Sequence, residues 1–284
     1  MIRISIVMPV WNGAKYVREA VDSILDQTFS DFELLVIDDG SSDETLSILQ
    51  SYKDPRLLIF ERQHAGIVAA LNFGITQARS NWIARMDADD IAFPHRLTRQ
   101  WETLAKHPEA ILCYSAVELF GEAAHLSGSA RIPQSRGLLA MKLCFQSPIV
   151  HSSVVFKKQA FDQVGGYISA ERHAEDFGLW GRLIEVGPFA GIAESLLRFR
   201  VHQQSISKQK LDEQRAVAEK IGIDHCRRFM QLDEQAAIRA FKILRQNRTP
   251  FEWFWFLRRC APRLRWKSPE LFGWLAKQTA SCFK

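Results

Sequence analysis

The first ninety residues alternate between short apolar segments and helical patterns, and this alternation constrains the fold more than any other feature of the sequence. The helical patterns of residues 17–25 and 66–78 each place apolar side chains on one face. Strands that alternate with helices form a parallel sheet with right-handed connections, so we expect an α/β core. Four segments have the length and apolar composition of buried strands: residues 2–8, 32–37, 57–60 and 82–86.

Carboxylates directly follow two of these segments. Asp38 and Asp39 follow the second, and Asp87, Asp89 and Asp90 follow the fourth. Because open α/β sheets bind ligands beyond the carboxyl ends of their strands, we expect both groups at one binding edge. Clustered carboxylates repel one another and suit a hard divalent cation, Mg2+ or Mn2+. The alternative is a pair of solvated acidic turns.

A structural interpretation of the first acidic segment also exists. Ser41 and Glu44 have the spacing of a capping box, which predicts a helix that starts at about Ser42. Asp38 and Asp39 would then lie beside a helix N-terminus, where acidic side chains are favourable.

The rest of the chain changes character near residue 208. Before it, strands are expected near 110–120, 151–156 and 196–201, with a helix that opens at Glu175 and loops at 121–133 and 165–175. After it, four helical patterns follow and strand patterns stop. We predict one α/β domain over residues 1–205 and a helical appendage over 206–284.

Composition narrows the setting. No run of 18 apolar residues occurs, which argues against a membrane-spanning helix, and the N-terminus is interpreted as a strand rather than a signal peptide. Five dispersed cysteines without a Cys-x-x-Cys pair suit the reducing cytoplasm. The net charge of +5 lies in the tail, because residues 245–284 hold nine Lys and Arg against two Glu.

The order of these motifs resembles the family 2 glycosyltransferases, inverting enzymes with a GT-A fold. The resemblance covers residues 1 to about 205. The Gln-x-x-Arg-Trp motif of processive members is absent after Trp180, which favours one sugar added per turnover. The matching segments, in order, are IVMPVWN at 6–12, VIDDGSSD at 36–43, NFGI at 72–75, DADD at 87–90, VGGY at 164–167, EDFGLW at 175–180 and FRVH at 199–202.

The resemblance implies a role for each matching residue. Asp39 would accept a hydrogen bond from the base, typically uracil, and Asp89 would hold Mn2+ or Mg2+, with His202 completing the metal or diphosphate environment. Asp176 would be the general base. Residues 1–110 would form the nucleotide-sugar half, and residues 111–205 the acceptor and catalytic-base half. The implied nucleotide-sugar pocket contains Pro9, Trp11, Asn12, Asp38, Asp39, Asp87 and Ala88.

Each of these roles has an alternative. Glu175 competes with Asp176 as the base, and Asp176 is also well placed as the first-turn acid of a helix. His202 alternatively is a surface residue, and Trp180 belongs to an apolar helix stripe that is typical of core. A catalytically silent nucleotide-sugar sensor or scaffold is the second functional hypothesis. A sugar nucleotidyltransferase ranks lower, because no Gly-rich basic phosphate loop follows the first strand.

The tail has two interpretations. Aromatic residues at 251–256 precede a basic run, a composition that suits the surface of an anionic membrane. This contact, through residues 245–284, would bring a glycan or lipid-linked acceptor near the enzyme. The alternative is a helical cap whose aromatic side chains pack on the catalytic domain. No nucleic-acid-binding module is present, so no nucleic-acid partner is expected.

Overall fold

The computed structural model describes residues 2–121, 132–202, 210–245 and 249–282. Within these ranges the chain forms a single eight-stranded sheet with helices packed against it. The predicted loop at 121–133 lies largely outside the described residues. Among the described helices, none combines the length and apolar character needed to cross a bilayer.

The strands, in chain order, are β1 (Ile4–Val10), β2 (Phe32–Asp38), β3 (Leu57–Glu61), β4 (Trp82–Arg85), β5 (Ile91–Ala92), β6 (Leu112–Phe120), β7 (Val154–Lys157) and β8 (Phe189–Arg200). The helices are α1 (Val17–Leu25), α2 (Thr45–Gln50), α3 (Ile67–Gln77), α4 (Arg96–Lys106), α5 (Arg136–Lys142), α6 (Lys158–Gln163), α7 (Glu175–Val186), α8 (Leu211–Met230), α9 (Glu234–Arg245), α10 (Pro250–Arg259) and α11 (Pro269–Cys282). Three 3-10 turns are His151–Ser153, Ser169–Glu171 and Ala261–Arg263.

The first four long strands form the expected parallel core, in the order β3-β2-β1-β4. Every residue of β1 and β2 is buried, which explains their nearly continuous apolar sequences. In the register, Val10 of β1 pairs with Asp38, and Val7 pairs with Arg85. The carboxyl ends of β2 and β4 therefore meet at one edge, as the sequence predicted.

Beyond β4 the sheet changes direction. β7 runs antiparallel to both β4 and β6, while β8 runs parallel to β6 across an irregularity between Ser115 and Val117. β8 is longer than the predicted segment 196–201, because its first half also pairs with β6. The short β5 pairs Ile91 with Arg198 and so fixes the chain directly after Asp90.

The predicted capping box is wrong. α2 starts at Thr45, after an N-cap Glu44 that makes no side-chain capping bond. The Ser41 hydroxyl instead donates to the Asp38 carboxylate. A charged acceptor forms a stronger hydrogen bond than a neutral one, which explains why the Ser41 hydroxyl bonds to Asp38 and does not cap helix α2.

The C-terminal helices share a core with the α/β part. Side chains from both parts, including Trp180, Phe229 and Trp253, belong to one buried cluster. The buried His225 of α8 stacks on Phe229 and meets Phe177 edge-on. This packing favours the cap interpretation for the buried tail aromatics, and the division of the chain near residue 205 stays a prediction.

Candidate active site

Side-chain hydrogen bonds tie the loops after β1 and β2 together. Asn12 has a φ of 51°, and its amide oxygen accepts from the Ser42 N–H at 2.8 Å. The Asn12 N–H donates to the Ser41 hydroxyl at 2.9 Å, and that hydroxyl donates to Asp38. Polar atoms of Asn12 and Asp38 therefore hold these loops in place. Pro9 is buried within β1.

Asp39 braces the segment that leads into α3. Its carboxylate accepts from the backbone N–H groups of Ala65 and Gly66, at 3.0 and 2.7 Å. His64 Nδ1 lies 2.9 Å from the same carboxylate, and the His64 ring packs against Trp11 with centroids 4.6 Å apart. Trp11 remains 55% exposed. An exposed indole near a buried carboxylate suits a flat base that carries N–H donors.

Three carboxylates converge beyond β4. One oxygen from each of Asp87, Asp89 and Asp90 lies within 4.8 Å of the others, and the partly exposed Ala88 lies within the same turn. Asp90 is fully buried, whereas the Asp89 side chain is 34% exposed. This spacing of hard oxygen donors, with the Asp87 and Asp89 carboxylates partly accessible, fits a divalent cation.

Buried guanidinium groups support this cluster from below. Burial alone would lower the pKa of Arg85, but its ion pair with Asp87 outweighs burial and raises that pKa. Arg96 is fully buried behind the cluster and donates to the Arg85 carbonyl at 2.8 Å, and burial lowers the Arg96 pKa to about 10. Burial and then the Asp87 charge raise the pKa of Asp89 and, more strongly, of Asp90. A bound cation would relieve this repulsion.

The end of β8 closes the cluster from the other side. The Arg200 N–H donates to Asp90 at 2.8 Å, and Arg200 Nε donates to the Asp89 carbonyl at 2.7 Å. His202 Nε2 lies 2.9 Å from the Asp89 carboxylate, and the His202 ring packs on Tyr16. Within the described part of the chain, the buried His202 Nδ1 has no hydrogen-bond partner. The fold thus brings together Asp89 and His202, the two predicted metal ligands.

α7 carries both candidate bases in its first turn. Asp176 is partly accessible to solvent, and burial raises its pKa to about 6 against the opposing Arg85 charge. Glu175 is 6% exposed, and burial followed by the Asp176 charge raises its pKa to about 7. Glu175 Oε2 lacks a hydrogen-bond partner among the described residues. Raised pKa values suit proton acceptors that work near neutral pH.

The floor beside α7 is aromatic. The Tyr167 hydroxyl lies 2.6 Å from His151 Nε2, and burial lowers the His151 pKa well below its ordinary value. Trp180 is fully buried and meets His151 edge-on, so it packs in the core and offers no face to a sugar. Gly165 and Gly166 have φ values of 81° and 66°, a left-handed conformation that glycine adopts without strain.

Several site residues were missed from the sequence. Arg85 was detectable, because a charged residue within an apolar strand next to three carboxylates needs a partner. Arg200 likewise lies beside His202 in a matching segment. Ser152, which accepts from Arg85 and contacts Asp87, comes from a 3-10 turn before β7, and no local pattern identifies it. The positive charge expected among the carboxylates is thus supplied in part by the protein.

The fold and this site define the class of protein. The sheet has the GT-A architecture of Staphylococcus aureus TarS solved with UDP-GlcNAc, with a TM-score of 0.69 and 16% identity over 86% of this chain and 72% of that one. A Pyrobaculum calidifontis mannosyltransferase solved with GDP-Man and Mn2+ gives a TM-score of 0.61 and 17% identity, over 99% of this chain and 81% of that one.

The family follows from the sequence comparison. The model of glycosyl transferase family 2 matches residues 5–165, and the chain belongs to this family of glycosyltransferases. The O-antigen biosynthesis glycosyltransferase WbnJ of Escherichia coli is 31% identical over 73% of this chain and 83% of its own length. The chain spans from 31% to 83% of the length of the curated relatives compared.

Proposed function

We propose that the protein is a metal-dependent inverting glycosyltransferase that transfers one sugar from a nucleotide sugar, in the first instance a UDP-sugar. The observation that carries the proposal is the position of Arg85. This buried guanidinium forms an ion pair with Asp87 of the acid cluster, and its charge also opposes the effect of burial on the pKa of Asp176. A site for the leaving diphosphate and a proton acceptor would thus share one electrostatic environment.

The donor would bind across the ends of β1, β2 and β4. Trp11 would stack on the base and Asp39 would accept from it, while Asn12 and Asp38 keep the two loops in register. In the solved relative with UDP-GlcNAc the ligand is a nucleotide sugar, which supports this choice of donor class. Residues 1–110 remain the proposed donor half.

Asp89 and His202 are the proposed metal ligands, with Asp87 and Asp90 behind them. When bound, Mn2+ or Mg2+ would neutralise the charge that develops on the departing diphosphate. Arg85 and Ser152 hold Asp87 in position, and the end of β8 holds Asp90. The Asp89 carboxylate itself lies 2.9 Å from His202 Nε2.

Asp176 is the proposed general base. It would take the proton from the acceptor hydroxyl as that oxygen attacks the anomeric carbon, while the nucleoside diphosphate leaves from the opposite face. One displacement inverts the anomeric centre and needs one catalytic carboxylate. General-base help of this kind contributes roughly 10²–10⁴-fold. Glu175 stays the alternative base.

The acceptor side is argued from chemistry and from relatives. The proposed acceptor is a hydroxyl of a glycan or lipid-linked glycan in cell-surface polysaccharide synthesis, in keeping with the O-antigen role named for the Escherichia coli relative. We place the reaction in the cytoplasm, at the inner face of the membrane. Four buried cysteines are free thiols, which suits a reducing compartment.

The test is nucleotide release from a panel of sugar nucleotides, with Mn2+, Mg2+ or EDTA. Wild type would be compared with Asp89→Asn and Asp176→Asn, and with Asp162→Asn as a matched control on the exposed end of α6. We expect release from one donor with metal, loss in both site variants, and no change in the control.

Two outcomes would contradict the proposal. Release that is equal in EDTA would exclude metal dependence. Failure of every sugar nucleotide to bind, as measured by calorimetry with metal present, would exclude a sugar-nucleotide donor. Binding of one sugar nucleotide without turnover, even with a lipid-linked glycan extract added, would favour the silent sensor.

A further inference from the structure

The aromatic residues of α10 divide into two faces. Trp253 and Phe256 are buried, at 1% and 0% exposure, and the Trp253 indole N–H donates to Thr279 of α11 at 2.8 Å. Phe251 and Phe254 are 74% and 59% exposed. Trp255 is partly buried against the same core, so Phe251 and Phe254 are the two exposed members among the five aromatic residues of α10. Their i,i+3 spacing places them on one outward face.

A basic cluster continues this outward face. Exposed Arg258, Arg259 and Arg263 line one groove of about 470 Å3 together with Phe251 and Phe254. Within residues 2–121, 132–202, 210–245 and 249–282, no carboxylate forms a salt bridge with these three arginines. The Glu252 carboxylate of the same helix is engaged in the capping box with Thr249. The groove therefore has a net positive charge.

The combination of exposed phenylalanines and exposed arginines in one groove indicates which kind of partner it would bind. Two exposed phenylalanines on one face favour contact with an apolar phase. The neighbouring guanidinium groups, which form no salt bridge among the described residues, favour phosphates at the edge of that phase. A second copy of the chain would bring two such arginine clusters together, and like charges would oppose that contact. A bilayer with anionic headgroups offers hydrocarbon and phosphate at the required depth.

We propose that the groove formed by Phe251, Phe254, Arg258, Arg259 and Arg263 docks the protein on an anionic lipid bilayer. The two phenyl rings insert below the headgroups, and the three guanidinium groups bind lipid phosphates. This narrows the contact from the whole basic tail to one face of α10 and the 3-10 turn after it. The docking itself is independent of the transfer reaction, and it would hold a lipid-linked acceptor at the same surface.

The test is flotation of the full-length protein with phosphatidylcholine vesicles that contain or lack phosphatidylglycerol, at low and high salt. The variants are F251S/F254S and R258Q/R259Q/R263Q. The matched control is F272S/K277Q, which changes an exposed Phe and an exposed Lys of α11 outside the groove. Circular dichroism melting verifies that each variant is folded.

We expect wild type and the control to float only with anionic vesicles. Each groove variant should lose binding by at least about tenfold, and the arginine variant should also lose most of the salt dependence. Absence of wild-type flotation at low salt would overturn the proposal, as would equal loss in the control. Light scattering that shows dimers dissociated by F251S/F254S would assign the groove to a second copy instead. Because these readouts need no turnover, an inactive protein that floats would fail only the proposed reaction.

Discussion

Two strand ends at the same edge of the sheet carry acidic residues and use them differently. After β2, Asp39 accepts hydrogen bonds from the backbone N–H groups of Ala65 and Gly66. After β4, Asp87 instead meets a buried guanidinium, and its neighbour Asp90 is fully buried. Backbone N–H donors use Asp39 to fix a loop after β2, whereas buried cations after β4 hold several carboxylates close enough to share a ligand.

The comparison shows why adjacent aspartates in a sequence do not define a metal site by themselves. What separates the two ends is the residue two positions before the first acid, which is Val36 before Asp38 and Arg85 before Asp87. A cation inside the sheet is costly unless carboxylates accompany it. The carboxylate cluster after β4 therefore contributes to the stability of the sheet and also forms part of the site.

The largest expected effect is on the free energy of unfolding of Arg85→Met. Removing one partner of a buried ion pair leaves its carboxylates uncompensated, and we expect a loss of about 3–5 kcal/mol. Arg62→Met is the control beside the β2 end. Arg62 directly follows β3, and its guanidinium donates to the Ala69 carbonyl and forms no salt bridge with Asp39, so about 1 kcal/mol is expected. Urea unfolding measures both. Equal losses would remove the distinction between the two strand ends.

The second expected effect separates activity from stability. Asp89→Asn should lower the rate of nucleotide release by about 10²–10³-fold, because it removes a charge that stabilises the transition state through the cation. Asp39→Asn should cost about 1–3 kcal/mol of stability, because the amide cannot accept from both the Ala65 and the Gly66 N–H. Thermal melting and release assays on both variants give the two quantities. A stable, fully active Asp39→Asn would contradict the bracing role.

The third expected effect is the pH profile of transfer. Burial raises the pKa of Asp176 to about 6 from an ordinary value of 3.8. At a pH between 3.8 and about 6, Asp176 in the folded protein is mostly protonated and cannot act as a base, whereas an ordinary aspartate would be mostly ionised. The rate of sugar transfer, followed at saturating metal, should therefore fall about tenfold for each pH unit below 6. An acid limb near pH 4 would assign the base to a group with an ordinary pKa.

Sequence alone predicted the parallel core well, for a physical reason. Strands buried on both faces need continuous apolar residues, so β1 and β2 stand out, and parallel topology then brings Asp38 and Asp87 to one edge. The general-base role of Asp176 could not be predicted from strand patterns in this way, because an acid in the first turn of a helix is common. That role was predicted only from the resemblance to family 2 glycosyltransferases.

The parts that failed depend on distant partners. The Ser41 hydroxyl donates to the Asp38 carboxylate and does not form the predicted capping box, and helix α2 begins at Thr45. His64 reaches the site from the loop after β3, and Ser152 from the 3-10 turn before β7. A strand near 151–156 was expected, but no local pattern specifies that it pairs antiparallel with β4. In the tail, composition alone could not tell that Trp253 is buried and Phe251 exposed.

The smallest expected effect comes from a matched pair of serines, one at each strand end. Ser152 is fully buried, accepts from Arg85 at 2.8 Å and lies 2.8 Å from the Asp87 carboxylate. Ser152→Ala should cost about 1.5–3 kcal/mol, because its three partners, Arg85, Asp87 and Asp90, are all ionisable groups of the buried cluster. Ser41→Ala removes a hydroxyl that joins Asn12 to Asp38 at a more exposed position, and about 1 kcal/mol is expected. Urea unfolding of the two variants gives the difference directly. If Ser41→Ala proved the more damaging, the β2 end would be the more strongly organised one, and the contrast drawn from the charged partners would be reversed.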